Sequence, residues 1–318
     1  MDEALLKRCY EFSDYCRLIK EGAGWTTYSQ TIPLCAYICM AYRTEPNLEM
    51  IRLCRTIIKQ YNGIFSEFRG IMEPVFMTYM SVDNDPEAKL LAAQRAYDCL
   101  KEYFPGRDTV ALLAMFMTDL VRYEDYAAAS AATRMVYDAM KEDHFFLTGS
   151  EDILLAGLIA FTFGFNRRVI DEAEMAYVYM KKRHSFHSNA MQSAAQVMTM
   201  CEGAWYDKCA RTEELYACVR DAGMKYGQDF EMVSLAVLAN LGIDSAQVTN
   251  DMYEVDRYLE TQREYGIFGY SRRNRLVHAV MILTLYYLNE NPALTCSVAL
   301  SVILEIRAQQ AAAAAAAA

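Results

Sequence analysis

The chain has 318 residues, 54% of them hydrophobic and 23% charged, with 31 basic and 41 acidic side chains and a formal net charge of −10. That apolar share excludes a disordered chain. With 14 glycines and 6 prolines, breakers are too scarce for a turn-rich all-β fold, and the scarcity predicts long helices.

Residues 1–20 predict a leading helix. From Gly24 to Gln309 the text reads as helical hairpins. After Asp108 comes an apolar helix over 110–118, then a polar turn at 122–125. A second helix follows, with Tyr126, Ala129, Thr133, Val136, Tyr137 and Met140 on one face and Arg134, Asp138, Lys141 and Glu142 on the other. That spacing is the amphipathic helical period. The pair recurs at 153–163 with 171–182, and at 230–241 with 247–264. Asn291 and Pro292 open the last helix as cap and first residue.

Self-comparison places Tyr97, Tyr137 and Tyr177 forty residues apart, followed in step by Leu100, Met140 and Met180 and by Lys101, Lys141 and Lys181; Tyr216, Val219 and Arg220 continue the series. His144 and His184 share the period. Seven residues with N-cap chemistry recur at a similar interval: Thr27, Ser66, Asp108, Thr148, Asn189, Asp229 and Ser271. Three are followed by Gln30, Glu151 and Gln192 in the capping-box position. An all-apolar helix must be covered on most sides, and one hairpin cannot cover its own. Stacked neighbours can. The expectation is an all-α protein, an α-solenoid of about seven αα-hairpins with a period of about forty residues, and the alternative is a closed α/α toroid. No Gly/Ser/Pro-rich linker interrupts residues 1–310, which read as a single helical-repeat domain. The eight alanines of 311–318 are a tail set apart from function.

The ten cysteines include no C-x-x-C pair, and the acidic start Met1-Asp2-Glu3 lacks the basic region of an export signal. Reduced thiols in a cytoplasmic protein are expected. The dense apolar runs at 153–165 and 276–288 fall short of the roughly 18 residues a span needs, so no membrane partner is expected.

Four stretches resemble a known family: Gly63-Ile-Phe-Ser-Glu-Phe-Arg69-Gly70, the segment from Met140 through His144 and Thr148 to Asp152, Asn189-Ala-Met-Gln192, and Gly266-Ile-Phe268. They are similar to those of a family of bacterial proteins of about this length known only as a domain of unknown function. The resemblance covers roughly residues 20 to 290. It implies a bacterial, cytosolic, all-helical protein and no activity.

Candidate chemistry is sparse. His184 and His187 have the i, i+3 spacing of two metal ligands, and His144, Asp143, Glu151 and Asp152 lie one period earlier. The plain reading is that His closes a helix C-terminus and acids open the next helix, each against the helix dipole. Asp143, His144, Asp152 and His184 are also the candidates for acid–base work. Arg69 follows one Gly-Ile-Phe loop, and Arg272 and Arg273 follow the other; beside helix-start N–H groups they could hold an anion. The basic clusters at 167–168 and 181–183 sit in an acidic chain with a pI near 5.0, which argues against nucleic acid. No phosphate-binding glycine motif or nucleophile elbow occurs, and no cofactor is implied. The sequence therefore points to a soluble helical-repeat protein that binds a protein or peptide partner on a curved face. The alternative is an enzyme, or a ligand- or metal-binding protein, with its site around His144 and His184.

Overall fold

Helix is the only regular structure among the described residues. The structure, a computed structural model, describes residues 1–23, 30–63, 66–143, 149, 152–184, 188–265, 269–288 and 291–317, with the backbone alone at 22–23, 143 and 309–317. Helix α1 (Glu3–Ala23) leads. Two alternating series follow. The even helices are α2 (Ile32–Ala41), α4 (Glu73–Ser81), α6 (Asp108–Leu120), α8 (Asp152–Phe163), α10 (Ser188–Met198), α12 (Glu231–Ala239) and α14 (Arg272–Tyr287). The odd helices are α3 (Leu48–Tyr61), α5 (Pro86–Lys101), α7 (Tyr126–Asp143), α9 (Arg167–Lys181), α11 (Trp205–Asp221) and α13 (Ser245–Glu260). Helix α15 (Pro292–Ala317) closes the order. The hairpin segments read from periodicity all appear, with ends shifted by a few residues. The predicted polar turn at 122–125 contains a 3-10 turn at Tyr123–Asp125.

The two series differ in burial as their sequences require. Every residue from Glu231 to Ala239 of α12 is buried, as are Asp152–Ala160 of α8 and Ala190–Met198 of α10. Each fully buried Leu, Ile, Val or Met there contributes about 1.5–3 kcal/mol of transfer free energy. The odd helices bury one stripe: Ile51, Cys54, Ile57 and Ile58 on α3, and Ile170, Ala173, Ala176, Tyr177 and Met180 on α9. From α3 to α13 the odd helices begin at Leu48, Pro86, Tyr126, Arg167, Trp205 and Ser245, 38 to 41 residues apart.

The chain divides into two compact units. The N-terminal unit holds residues 11–142 and 149–166. In it α2 packs on α4, α4 on α6 and α6 on α8, while α3 lies against both α4 and α5, and α5 against α6. Gly157 marks the tightest approach, since a Cβ there would stand 2.4 Å from Leu113 Cδ1. The C-terminal unit holds residues 1–10, 143–148 and 167–318. In it α10 packs on α12 and α12 on α14, α9 on α11 and α11 on α13, and α15 lies across α12 and α14.

Most of the expected N-caps do not hold. Ser271 does cap α14, accepting from Asn274 N–H at 3.2 Å. Asp108 is the first residue of α6, with Arg107 at its N-cap, and Asp229 precedes Phe230, the N-cap of α12. Asn189 lies inside α10, and Ser66 lies in a turn well ahead of α4. Thr27 and Thr148 lie outside the described residues. Side-chain capping belongs instead to odd helices: Asn47 caps α3, Asp85 caps α5 and Asp244 caps α13. Glu73, Asp108, Asp152 and Glu231 open four of the seven even helices, α4, α6, α8 and α12, placing negative charge at the positive end of the helix dipole. Asn291 caps α15 as read, accepting from Leu294 N–H at 3.1 Å.

The tyrosine column packs. Tyr97 meets Phe68 edge-on with ring centroids 5.6 Å apart, Tyr137 meets Phe104 at 5.5 Å, and Tyr216 meets His184 at 5.1 Å. These separations suit edge-to-face aromatic pairs. Phe104 and His184 each follow a column tyrosine, Tyr97 and Tyr177, by seven positions. His184 therefore takes a place that a phenylalanine fills elsewhere.

Candidate functional site

Helix α11 ends on Gly223, at φ +75°, whose N–H donates to the Arg220 carbonyl at 2.9 Å while Met224 N–H donates to Val219 at 3.1 Å. This is the Schellman pattern, and its left-handed residue costs glycine least. Four residues on, Gly227 is also left-handed, at φ +84°. Between the two glycines the buried Tyr226 hydroxyl shares a hydrogen bond with Ser234 of α12 at 2.7 Å. The loop is thus pinned at both ends, and it forms one wall of a cleft of about 470 Å³. The cleft is lined by Gly223, Lys225, Gln228, Asp229, Glu231, Arg272, Arg273 and Leu276.

Arg273 is the centre of the cleft's charge. It forms a close ion pair with Glu231, whose side chain is 2% exposed, reaches Glu305 of α15 at 2.8 Å, and stands 3.8 Å from Asp229. Glu231 also accepts from Asp229 N–H at 3.3 Å. Burial pushes the Glu231 carboxyl above its ordinary value, and the Arg273 guanidinium pulls against that shift. Three carboxylates thus share one guanidinium, which ties α12, α14 and α15 together. Two residues along α14, Arg275 is held by Asp256 and Glu260 of α13, and Arg272 approaches Asp256 at 3.5 Å. Residues 272 and 275 share one helix face. Lys225 is exposed and makes no ion pair among the described residues. The cleft therefore presents Lys225 and the half-exposed Arg272 at its mouth, with a neutralised arginine behind.

None of the other described sequence candidates, His184, Asp152 and Arg69, is among the residues lining this cleft. His184 Nε2 stands 2.7 Å from Glu213 Oε1, with its ring against Tyr216. Asp152 is buried at the first turn of α8 and accepts from Gly149 N–H at 2.7 Å. His144, Glu151 and His187 lie outside the described residues, as does the Asp143 side chain. Arg69 sits in the turn ahead of α4, its N–H donating to the Ser66 carbonyl at 2.9 Å. Among the described residues, no three His, Cys, Asp or Glu side chains gather as a metal-binding group. No described helix is long and apolar enough to cross a membrane. Sequence reasoning found Arg272 and Arg273 but missed Lys225, Glu231, Asp256 and Glu305. Glu231 carries a usable signal: it is the one charge in a nine-residue helix that is otherwise apolar but for Ser234.

Comparison with known proteins places the chain in a family. It belongs to the family described as "Protein of unknown function (DUF4003)", whose model matches residues 15–311. No curated protein and no solved structure matches it.

Proposed function

We propose that this member of the family is a helical-repeat protein whose αα-hairpins stack as an α-solenoid, and that it binds a protein or peptide partner on an exposed helical face. The observation that carries the reading is the packing of successive even helices within each unit, α2 to α8 in one and α10 to α14 in the other, with every second hairpin helix left partly exposed. Stacks built this way offer extended surfaces made of equivalent positions on successive units, a geometry suited to extended partners. The ten cysteines are free and all but Cys218 are buried, which suits a reducing compartment.

Panning the full chain against a displayed random peptide library tests the reading. Enrichment of a sequence motif that binds as a free peptide with 1:1 stoichiometry supports it. Failure to enrich any motif, together with a small molecule that raises the melting temperature, overturns it. The cleft favours a second reading, a small-anion site gripped by Arg272 and Lys225. Arg272→Gln should then abolish binding of inorganic phosphate measured by calorimetry.

A further inference from the structure

On α9, in the C-terminal unit, Glu174, Met175 and Val178 follow one another along the face opposite the buried stripe, with Lys182 just past the helix end. The start of α11 brings Trp205 and Tyr206 alongside. The α9 residues and Lys182, with Tyr179, Arg183 and Trp205, frame an open groove of about 370 Å³, and Tyr206 stands beside Trp205. Two of its apolar side chains are exposed, Met175 at 42% and Val178 at 40%, and the neighbouring Tyr206 is 56% exposed. Trp205 meets Tyr179 at 6.2 Å and Tyr206 at 6.0 Å, both edge-on. The Arg183 guanidinium lies 3.6 Å over the Tyr179 ring and donates to the Tyr179 carbonyl at 3.2 Å.

Charge also marks this place in an acidic chain. Arg167 and Arg168 at the start of α9 pair with Asp171 and Glu172 on their own helix. Lys182 and Arg183 make no ion pair among the described residues. Two cations without an ion pair among the described residues thus flank exposed methionine and valine and a partly buried tryptophan, with Glu174 also on the groove wall. Aromatic residues, Met and Arg are the types enriched at protein interfaces, and Trp, Tyr and Arg dominate their binding energy.

We propose that this groove docks an acidic, amphipathic helical segment of a partner protein. Its apolar side chains, spaced i, i+3 or i+4, would enter between Met175, Val178 and Trp205, and its carboxylates would meet Lys182 and Arg183. A planar guanidinium braced on an aromatic ring presents a fixed fork to a carboxylate at little entropic cost. The inference rests on the partner-binding reading and assigns that function a place and a chemistry.

Trp205 and Trp25 are the two tryptophans of the chain, so a full-length Trp25→Phe protein reports on the groove by its own fluorescence. Peptides enriched from the displayed library should combine apolar residues at helical spacing with Asp or Glu. One of them, synthesised, should shift Trp205 emission saturably, and binding should weaken as salt rises. Val178→Asp and Arg183→Glu, both at exposed positions, should each weaken it about tenfold or more, with the helical content of the protein unchanged. Enriched peptides that bind both variants as tightly as the parent would place the partner elsewhere, leaving the binding function standing and the groove refuted. Enrichment without acidic residues refutes the proposed chemistry. Two further results would also overturn it: self-association abolished by Val178→Asp, or Trp205 shifts with vesicles of anionic phosphatidylglycerol but not with the peptides.

Discussion

Gly157→Ala tests whether α8 really lies against α6. In an exposed helix interior this exchange stabilises by about 1 kcal/mol, because glycine has more conformational freedom to lose. Here the new methyl would stand 2.4 Å from Leu113 Cδ1, 2.5 Å from Cδ2 and 3.0 Å from Cγ, all inside the roughly 3.5–4.0 Å at which carbon atoms attract. Leu113 is fully buried and cannot swing into solvent. Overpacking of this kind costs about 1–3 kcal/mol. With three atoms in conflict, the clash should outweigh the propensity gain by about 1 kcal/mol, lowering the melting temperature by about 2–4 °C. Urea and thermal unfolding followed by circular dichroism measure it. Leu113→Ala alone should lose about 2–5 kcal/mol. The double variant should lose less than the sum, because the methyl enters the space that leucine vacates. A Gly157→Ala protein more stable than the parent would refute the contact.

Other consequences follow from buried charge and capping. His278 is buried with Nδ1 2.6 Å from the Tyr265 hydroxyl, and burial lowers its pKa from 6.5 to about 3. The unfolded chain therefore takes the proton first, and stability should fall as pH drops from 6.5 toward 3, by about 1.4 kcal/mol per unit; His278→Gln should flatten that slope in acid unfolding, and an unchanged slope would contradict the assignment. Arg275→Gln removes the closest partner of the buried Asp256, leaving it Arg272 at 3.5 Å, and should cost up to about 3–5 kcal/mol in urea unfolding, with Asp256→Asn in the same chain recovering part of it. Ser271→Ala removes the α14 cap and should cost about 1 kcal/mol. Burial pushes the thiols of Cys9, Cys35, Cys54 and Cys201 up to about 12, so a thiol reagent should label the half-exposed Cys218 first and these four only on unfolding.

Helix positions were largely legible because apolar periodicity is a local signal. The segment 153–163, apolar but for Thr162, reads as a covered helix, and α8 spans Asp152–Phe163. Helix starts were less legible. Asn, Asp and Ser have cap chemistry wherever they stand, and only the path of the chain decides which of them sits at a helix start. Thus Asp244 caps α13 while Asp229 falls short of α12. The cleft was half legible. Arg272 and Arg273 were marked by the loop ahead of them, but Glu231 and Glu305 lie 42 and 32 positions from Arg273, and no local pattern announces a charge partner at that range. The α9 groove was hidden because Val178 and Met175 look like core residues until the fold turns them outward.

Native-state hydrogen exchange resolved by helix tests the two-series packing most directly, since amides in covered helices exchange through larger openings than those in half-exposed ones. In the C-terminal unit, α10 and α12 should exchange more slowly than α9 and α11, giving an alternation of protection along the chain. Protection that is uniform across these four helices, or greatest in α9 and α11, would contradict the packing from which the partner-binding surface is inferred.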